Sequence, residues 1–402
     1  MNDTKTSRFR WKQFLLGVLI GGFLGLIAGG LVGAALVWFW SFAEREATVD
    51  PLADLAIDRD KLSPDETKSY IDRLAGEYVA SKDNVGLVVG VIKNGTSEVF
   101  AYGHVARGSD EVPDGDTIFE IASVGKTFTA TMLADMHLRQ ELSWDDPLTA
   151  FLPKDVAVPR AGDRQIGLLD LATQTSGLPS LPPNFKSGDP LNPYADYTVS
   201  EMYAGMRKIT LNVPPGREYG YSNLGFGLLG HALERRAGMS YEDLVVSRLC
   251  QPLGMESTRM TLDAALKKHL ATPHDGGKAV VVWEDTTMPG AGSFLSTAND
   301  MLRYVQAHWQ HECGDDDTLC RALHETVRKR RPTDAPQRSM GLGWHIDSEN
   351  ALDIIWHNGA AGGSCSYVAF LEEPQVGVVV LSNSSNPVDF LGHRVLYLLA
   401  RH

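Results

Sequence analysis

The longest apolar segment of the chain lies near its amino terminus, where residues 14–42 contain no charged side chain. About 20 predominantly apolar residues suffice for a membrane-spanning helix, so this segment predicts a transmembrane anchor. Basic residues precede it and acidic residues follow it, which places residues 1–13 in the cytoplasm and the body of the chain outside. The alternative is a cleavable signal peptide, with Ser41 and Ala43 as the small residues of its cleavage site.

Glycine recurs at every fourth position of this segment, from Gly17 to Gly33. The spacing puts these glycines on one helix face, where a second helix can approach closely, and it predicts a homo-oligomer contact. The alternative is that glycine is simply common in membrane helices. Residues 43–61 are mixed and charged and predict a stalk, and residues 62–402 then form one domain.

The first part of this domain predicts a helix followed by a hairpin. Ser63 has the features of a helix N-cap, with proline next and a capping-box glutamate three residues on, so a helix is expected to about Ala80. Two β-rich segments, 85–92 and 99–102, then flank Asn94-Gly95, a dipeptide typical of tight hairpin turns.

The carboxy-terminal part returns to β-rich segments before a final apolar-faced helix at 388–400. Successive antiparallel strands are predicted at residues 341–346, 353–357, 366–371 and 377–381. Strands at both ends of a helical middle predict an α/β fold, in which an antiparallel sheet of early and late segments is flanked by helices. A mainly helical region is inserted at about 116–335, and the cleft between the two parts is the expected site.

Three helices are predicted within the inserted region. One begins at or just after Ser123, one runs from Leu168 and ends at Gly177, and one covers residues 224–236 with Asn223 near its start. Residues 179–197 are rich in Pro, Asn, Asp and Ser and predict an exposed loop beside the cleft.

Composition and charge narrow the function classes. The chain has 402 residues, of which 43% are hydrophobic, and this is enough for a sizeable core. Its net charge of −13 argues against nucleic acid as the main partner, because phosphate binding needs clustered Lys and Arg. The sequence contains no cofactor fingerprint, so no cofactor is expected.

The cysteines predict one disulfide. Outside the cytoplasm Cys313 and Cys320 can close a short acidic loop. A zinc site with the nearby histidines, His308, His311 and His324, is the alternative, but the spacing matches no structural finger, and no metal is predicted. Cys250 and Cys365 lie in apolar surroundings as small core residues, and whether they pair is left open.

Candidate chemistry lies at Ser123 and Lys126. On a helix this three-residue spacing puts the hydroxyl and the amine on one face, one turn apart. A serine hydroxyl needs a neighbouring base to become a nucleophile, and a lysine serves once burial or nearby positive charge lowers its pKa. A helix amino terminus also offers unpaired N–H groups to an oxyanion. The pair is therefore a candidate acyl-transfer centre.

Two further motifs accompany this pair in the order of a known family. They are Tyr221-x-Asn223 and His357-Asn358-Gly359. Together with Ser123-x-x-Lys126 they resemble the penicillin-recognising serine hydrolases. The Tyr-x-Asn form and the phrase Gln251–Met255 resemble the class C β-lactamase branch, and details of the chain are similar to class-C-type D-alanyl-D-alanine carboxypeptidase/endopeptidases. The resemblance implies a β-lactamase/transpeptidase-like fold from about Leu62 onward.

The resemblance also implies roles for the matching residues. Ser123 would form the acyl-enzyme and Lys126 would take or share its proton. Tyr221 would relay that proton, which requires a phenol pKa lowered by nearby cations. Asn223 would bond Lys126 and the substrate amide. The third motif would complete the substrate-binding residues. The side chain of His357 would touch the tyrosine or a substrate carboxylate, and the N–H of Ala360 would join that of Ser123 in the oxyanion hole. The substrate-binding residues on this strand are His357, Asn358, Gly359 and Ala360.

The third motif departs from the Lys-Thr-Gly of most β-lactamases, since histidine is only partly charged near pH 7. It favours peptide or ester substrates over β-lactam hydrolysis. The expected function is a single-pass protein of the bacterial inner membrane whose periplasmic domain hydrolyses D-alanyl peptides of peptidoglycan. A β-lactamase or esterase using the same residues is one alternative, and a non-catalytic protein that binds envelope peptides is another.

Gln174, where relatives have an aromatic or histidine residue, is expected to be a cleft-wall or buried loop residue.

Overall fold

The computed structural model describes residues 64–310, 312–314, 316–349 and 351–400. The predicted tail at 1–13, the anchor at 14–42 with its Gly17–Gly33 stripe and the stalk at 43–61 lie outside these residues, as does His311. Among the described residues, no helix has both the length and the apolar character needed to cross a bilayer.

In the residues that the structure describes, the strands form one large antiparallel sheet and three small ladders. The large sheet has the order β2-β1-β14-β13-β12-β11-β10-β9, and β3 with β8, β4 with β5 and β6 with β7 form the ladders. In chain order the strands are β1 Gly86–Lys93, β2 Thr96–Gly103, β3 Phe119–Glu120, β4 Arg160–Ala161, β5 Arg164–Gln165, β6 His274–Asp275, β7 Lys278–Ala279, β8 Leu295–Ser296, β9 Arg331–Pro332, β10 Arg338–Met340, β11 His345–Glu349, β12 Leu352–Ala360, β13 Cys365–Leu371 and β14 Val376–Ser382.

The helices fall mostly between β2 and β9, as the pattern predicts. In chain order they are α1 Pro64–Val79, α2 Gly125–Leu138, α3 Leu168–Ala172, α4 Val199–Met206, α5 Asn223–Ala237, α6 Tyr241–Val245, α7 Ala298–Ala307, α8 Thr318–Thr326 and α9 Asp389–Ala400. The pairing of β1 with β14 joins the two ends of the domain, which confirms a sheet of early and late segments.

Local sequence explains the hairpin and the buried centre of the sheet. Asn94 and Gly95 both have positive φ, 49° and 79°, as the tight turn between β1 and β2 requires. Every residue of β13 and β14 is buried, because helices cover both faces. On β14 Gly377 faces Val305 of α7, whereas Tyr367 of β13 contacts Gly392 of α9.

Two predicted boundaries are wrong. The helix beginning at Leu168 ends at Ala172 rather than at Gly177, because Gln174 takes a left-handed φ of 58° that a helix does not contain. The strand predicted from residue 341 begins at His345, since Gly343 has a φ of 71° and the preceding residues form a turn.

The predicted disulfide is present. Cys313 and Cys320 are bonded with their Cα atoms 5.6 Å apart, so their sulfurs are not thiolate ligands for a metal. Cys250 and Cys365 are buried thiols, which confirms them as core residues.

Candidate active site

Ser123 lies in a tight turn between β3 and α2. The turn, Ala122–Val124, precedes the first residue of α2, Gly125, so the helix begins just after the serine as predicted. Ala122 has a φ of 45°, a left-handed conformation that is uncommon for a residue with a side chain and that clusters at functional sites. The turn leaves Ser123 half-buried at the amino terminus of a buried helix.

Glycine is required next to this turn. A Cβ on Gly292 would lie 2.4 Å from the carbonyl oxygen of Ala122 and 2.9 Å from the backbone nitrogen of Ser123. Gly292 also has a φ of 143°, which side chains rarely adopt. The absence of a side chain keeps the space over the Ser123 N–H open.

Lys126 is fully buried and bonds directly to the serine. Its Nζ lies 3.0 Å from Ser123 Oγ and donates to the carbonyl oxygen of Ala291 at 2.5 Å. Burial lowers the pKa of Lys126 to about 7, and the charge of Asp285 opposes that effect. An amine with this pKa is substantially neutral at neutral pH and can accept a proton from a hydroxyl.

Tyr221 reaches the same oxygen from the other side. Its hydroxyl donates to Ser123 Oγ at 2.8 Å, and Lys126 Nζ lies 5.0 Å from its ring centroid. The expectation of a lowered phenol pKa is wrong for this structure: burial raises the pKa of Tyr221, and its bond to Ser123 only partly opposes this. A neutral Tyr221 donates a proton and does not act as the initial base.

Gln174 holds the Tyr221 segment, a role that the sequence did not reveal. Its side-chain oxygen accepts from the Ser222 N–H at 2.8 Å and its carbonyl accepts from the Gly220 N–H at 2.7 Å. Ser222 in turn caps α5 by accepting from the Gly225 N–H. Gln174 is itself buried, as expected. Its left-handed backbone conformation could not be predicted from the local sequence, and its contact with the Tyr221 segment was therefore missed.

Asn223 is the first residue of α5, as predicted, but it does not bond Lys126. Its Oδ1 is buried without a hydrogen-bond partner in the protein, while Lys126 Nζ uses the Ala291 carbonyl instead. A buried acceptor left unpaired costs about 1–3 kcal/mol. Since Asn223 also lines the cavity beside Ser123, an incoming N–H can satisfy it.

The end of β12 packs directly on the serine turn. A Cβ on Gly359 would lie 2.2 Å from the Ile121 carbonyl oxygen, and that oxygen accepts from Ser366 Oγ at 2.8 Å. The glycine of the third motif is therefore needed for close approach of two backbones. This contact brings Ala360 to the wall of the same cavity as Ser123.

His357 is buried rather than open to the cleft, with 1% of its surface exposed. Its Nδ1 lies 2.6 Å from the Asn358 carbonyl oxygen, so Nδ1 carries the proton and Nε2 presents a lone pair. Burial, aided by the charge of Lys126, lowers the pKa of His357 to about 3. The ring is thus neutral, and its contact with substrate stays a prediction.

The cavity beside the serine has a volume of about 70 Å³. Two carboxyl groups that sequence reasoning missed lie in its wall, Glu120 and Asp285. Burial raises the pKa of Glu120 to about 7 and that of Asp285 to about 6. Glu120 accepts from the Trp283 N–H and from Ser364 Oγ. Neither residue falls in a recognisable motif. Glu120 stands three residues before Ser123 in the sequence, whereas Asp285 reaches the cavity only through folding.

The sequence matches the β-lactamase family over residues 71–402. The chain belongs to the β-lactamase family. Its large antiparallel sheet with helices on both faces is the β-lactamase/transpeptidase-like α/β fold, and the chain is a serine hydrolase of this family.

Relatives in this family carry two kinds of name. D-alanyl-D-alanine-carboxypeptidase/endopeptidase AmpH of Escherichia coli strain K12 is 27% identical over 335 residues, covering 80% of this chain and 85% of the relative. A β-lactamase of the same strain is 27% identical over 359 residues, covering 81% and 91%.

Solved structures of β-lactamase family members are similar to this chain in fold. A β-lactamase/D-alanine carboxypeptidase from Yersinia pestis, complexed with citrate, has a TM-score of 0.70 at 27% identity and covers 83% of this chain and 97% of that one. A class C β-lactamase has a TM-score of 0.71 at 23% identity and supports the fold alone.

Proposed function

We propose that this protein is a serine peptidase that forms an acyl-enzyme at Ser123 and hydrolyses D-alanyl peptides derived from peptidoglycan. One observation carries the proposal: Ser123 Oγ lies 3.0 Å from Lys126 Nζ and 2.8 Å from the Tyr221 hydroxyl, beside a cavity. A hydroxyl contacted by a base and by a proton donor is the arrangement that acyl transfer needs.

Acylation follows from the protonation states. Neutral Lys126 accepts the proton of Ser123 while Oγ attacks the carbonyl carbon of the substrate. The negative charge on the carbonyl oxygen is stabilised by the N–H groups of Ser123 and Ala360, which are the proposed oxyanion hole. Tyr221 gives its proton to the departing nitrogen and regains one from Lys126, so the C–N bond breaks and a neutral amine leaves.

Deacylation reverses these proton movements. Water attacks the acyl ester, gives a proton to Lys126 through Tyr221, and the C–O bond to Ser123 breaks with return of a proton to Oγ. Asn223 positions the substrate because its unpaired Oδ1 accepts from a substrate amide N–H. Asn358 and Gly359 shape the strand edge along which the peptide lies.

The test is the mass of the acyl-enzyme. Exposure to benzylpenicillin is expected to add the mass of one penicilloyl group to the wild type and nothing to Ser123→Ala, with loss of D-alanyl peptide hydrolysis on the order of 10³-fold or more. Circular dichroism controls for folding. Equal labelling or equal turnover by the two proteins would rule the proposal out.

A β-lactamase or esterase with the same residues is the second candidate, favoured by the relatives named β-lactamase. Parallel rates on a D-Ala-D-Ala peptide, nitrocefin and a short-chain nitrophenyl ester separate the three activities. The membership of the β-lactamase family argues against a non-catalytic binding protein.

Location outside the inner membrane is also part of the proposal, with residues 14–42 as anchor, 43–61 as stalk and 62–402 as the hydrolase. The support is the uncharged segment and the charge asymmetry around it. Fractionation of cells with protease access from the periplasmic side tests it, and crosslinking of the isolated segment tests oligomerisation through Gly17–Gly33. A soluble full-length chain would contradict the anchor.

A further inference from the structure

We propose that Glu120 is a positioning residue of the active site: its buried carboxylate holds the β12–β13 turn, residues 361–364, against the serine turn and so sets where the Ala360 N–H lies relative to the Ser123 N–H. The inference rests on the proposed function, because these two N–H groups are the proposed oxyanion hole. It follows from contacts that meet at the cavity beside Ser123.

The first contact joins Glu120 to the turn that follows Ala360. Ser364 Oγ donates to Glu120 Oε2 at 2.8 Å. The Ala361 N–H donates to the Ser364 carbonyl at 2.9 Å, so Ser364 closes the turn, and Ala360 pairs with Cys365 across it. A shift of Ser364 is therefore passed on to Ala360 and to the N–H group that is proposed to bind the oxyanion.

A neighbouring bond ties the same two segments together through the backbone. Ser366 Oγ donates to the Ile121 carbonyl at 2.8 Å, and Gly359 packs so closely on that oxygen that a Cβ would lie 2.2 Å from it. Glu120 and Ile121 lead directly into the serine turn. Because two bonds fix an orientation as well as a distance, the bond from Ser364 to Glu120 prevents the turn from pivoting about the contact of Ser366.

The third contact brings Trp283 into the same junction. Its backbone N–H donates to Glu120 Oε1 at 2.9 Å. Its indole lies directly on the β12–β13 turn, since a Cβ on Gly362 would lie 2.4 Å from Trp283 Nε1. Glu120, Trp283 and the turn therefore contact one another pairwise. Glu120, Trp283 and Ala361 all line the cavity, so this junction forms part of the wall beside the nucleophile.

The carboxylate of Glu120 acts through its partners rather than on the substrate. Glu120 is only 6% exposed, and each of its carboxylate oxygens already accepts from a protein donor. Removing a buried acceptor leaves its donors unpaired, so the segments that carry them move to find new partners. Burial raises the pKa of Glu120 to about 7; near neutral pH the side chain is partly the uncharged acid, which glutamine matches in length and charge.

Variants of Glu120 test this role in the full-length protein with phenyl acetate, a small ester that needs no peptide contacts. Glu120→Ala is expected to lower kcat by about 10²-fold, the loss that a displacement of about 1 Å can cause. Acylation and deacylation both pass through an oxyanion, so kcat falls whichever step is slower. Glu120→Gln should restore most of the lost activity because it can keep both contacts. An equal loss in the two variants would overturn the inference.

A tetrahedral analogue separates positioning from stability. Phenylboronic acid adds to a serine Oγ and places an oxygen in the oxyanion hole, so its Ki is expected to rise by at least about tenfold in Glu120→Ala. Thermal denaturation sets a temperature at which every variant is folded. An unchanged Ki would reject the positioning role, since lost stability alone does not weaken an adduct formed by folded protein.

Asp300→Ala is the matched control. Asp300 is also a buried carboxylate that accepts from one N–H and one hydroxyl, those of Ser257 and Thr258, and it pairs with Arg303 as well. It lies at the start of α7, outside the described cavity wall. Its removal should lower the melting temperature and leave kcat and the Ki of phenylboronic acid unchanged. Equal kinetic losses in Asp300→Ala and Glu120→Ala would show that the effect is not specific to Glu120.

Ser364→Ala keeps the inference testable if Glu120→Ala does not fold. It removes the bond to the turn and leaves the bond from Trp283 to Glu120 in place, so a smaller loss of kcat, about tenfold, is expected. Unchanged kcat and Ki in Ser364→Ala would overturn the inference.

The proposed function and this inference can fail separately, because kcat is also compared on a D-alanyl-D-alanine peptide. If the peptide is not hydrolysed, the proposed function fails, whereas a loss of Ser123-dependent ester turnover in Glu120→Ala that Glu120→Gln restores still supports the inference. If the peptide is hydrolysed and Glu120→Ala equals the wild type, the proposed function stands and the inference is rejected.

Discussion

Helix α2 buries two polar clusters that behave differently. One joins Lys126 to Ser123 and Tyr221. The other joins Thr129 to Tyr241 at 2.6 Å and to the Gly290 carbonyl at 2.8 Å, and Thr131 to Tyr304 at 3.1 Å. Lys126 is as buried as the threonines and tyrosines of the second cluster, so burial of polar groups does not by itself distinguish a site from a structural network.

The difference lies in what each cluster leaves unsatisfied. The threonine–tyrosine cluster pairs its hydroxyl groups within the protein, which stabilises a single packing arrangement. The serine cluster instead adjoins a cavity, a strained Ala122 backbone and the unpaired Oδ1 of Asn223. These features lower stability and are retained where an incoming molecule supplies the missing partner.

Among the variants that test this comparison of the two clusters, Gly292→Ala is expected to lose the most activity. The new Cβ would lie 2.4 Å from the Ala122 carbonyl and would crowd the Ser123 N–H, so kcat is expected to fall by about 10²–10³-fold, as for loss of an oxyanion donor. Steady-state kinetics measure it.

Gly108→Ala is the matched control for that change, since Gly108 also has a positive φ, of 82°, but nothing lies within 4 Å of its added Cβ. It carries a positive-φ backbone cost without the clash, and that cost is smaller than at Gly292, whose φ of 143° lies farther from the left-handed helical region. An equal loss of activity in both variants would show that the crowding of Ser123 is irrelevant.

A smaller effect is expected for Asp285→Asn, which should change the pH dependence of activity. The carboxylate of Asp285 raises the pKa of Lys126, so its removal lowers that pKa. Because neutral Lys126 is the proposed base, activity rises with pH through about 7, and the variant should move this rise to lower pH by roughly 0.5–1 unit. The pH profile of kcat/KM measures it.

The contacts of Asp285 provide a structural control. Its Oδ1 accepts from the N–H groups of Thr287 and Met288, which asparagine retains and alanine loses. Asp285→Ala should therefore also reduce kcat at all pH values by loosening the turn that carries Ala291. The other ionisable groups facing Lys126, Tyr221 and His357, are unchanged in both variants. An unshifted profile in Asp285→Asn would remove the electrostatic role.

The smallest effect on catalysis is expected for a variant of the threonine–tyrosine cluster. Tyr241→Phe removes one buried hydroxyl while Thr129 keeps its bond to the Gly290 carbonyl, so the free energy of unfolding should fall by about 1 kcal/mol with kcat/KM unchanged. Urea denaturation and kinetics measure the two quantities. A large loss of activity with unchanged stability would show that the two clusters act as one.

Much of the local structure could be predicted from sequence alone. The hairpin at Asn94-Gly95, the helix after Ser123 and the Cys313–Cys320 disulfide are confirmed, because each depends on residues close in the chain. The extent of the helix from Leu168 could not be predicted, since the left-handed Gln174 is stabilised by its bonds to Gly220 and Ser222, far along the sequence.

The sequence by itself indicated the family, through the resemblance of its three motifs, and it placed the candidate nucleophile Ser123 one helical turn from the amine of Lys126, because that spacing acts over a few residues. Only the tertiary structure decided the protonation of the site. Burial leaves His357 neutral and keeps the pKa of Tyr221 high, while Asp285 counteracts the burial of Lys126. Desolvation and charge proximity depend on segments that folding brings together, and no local pattern records them.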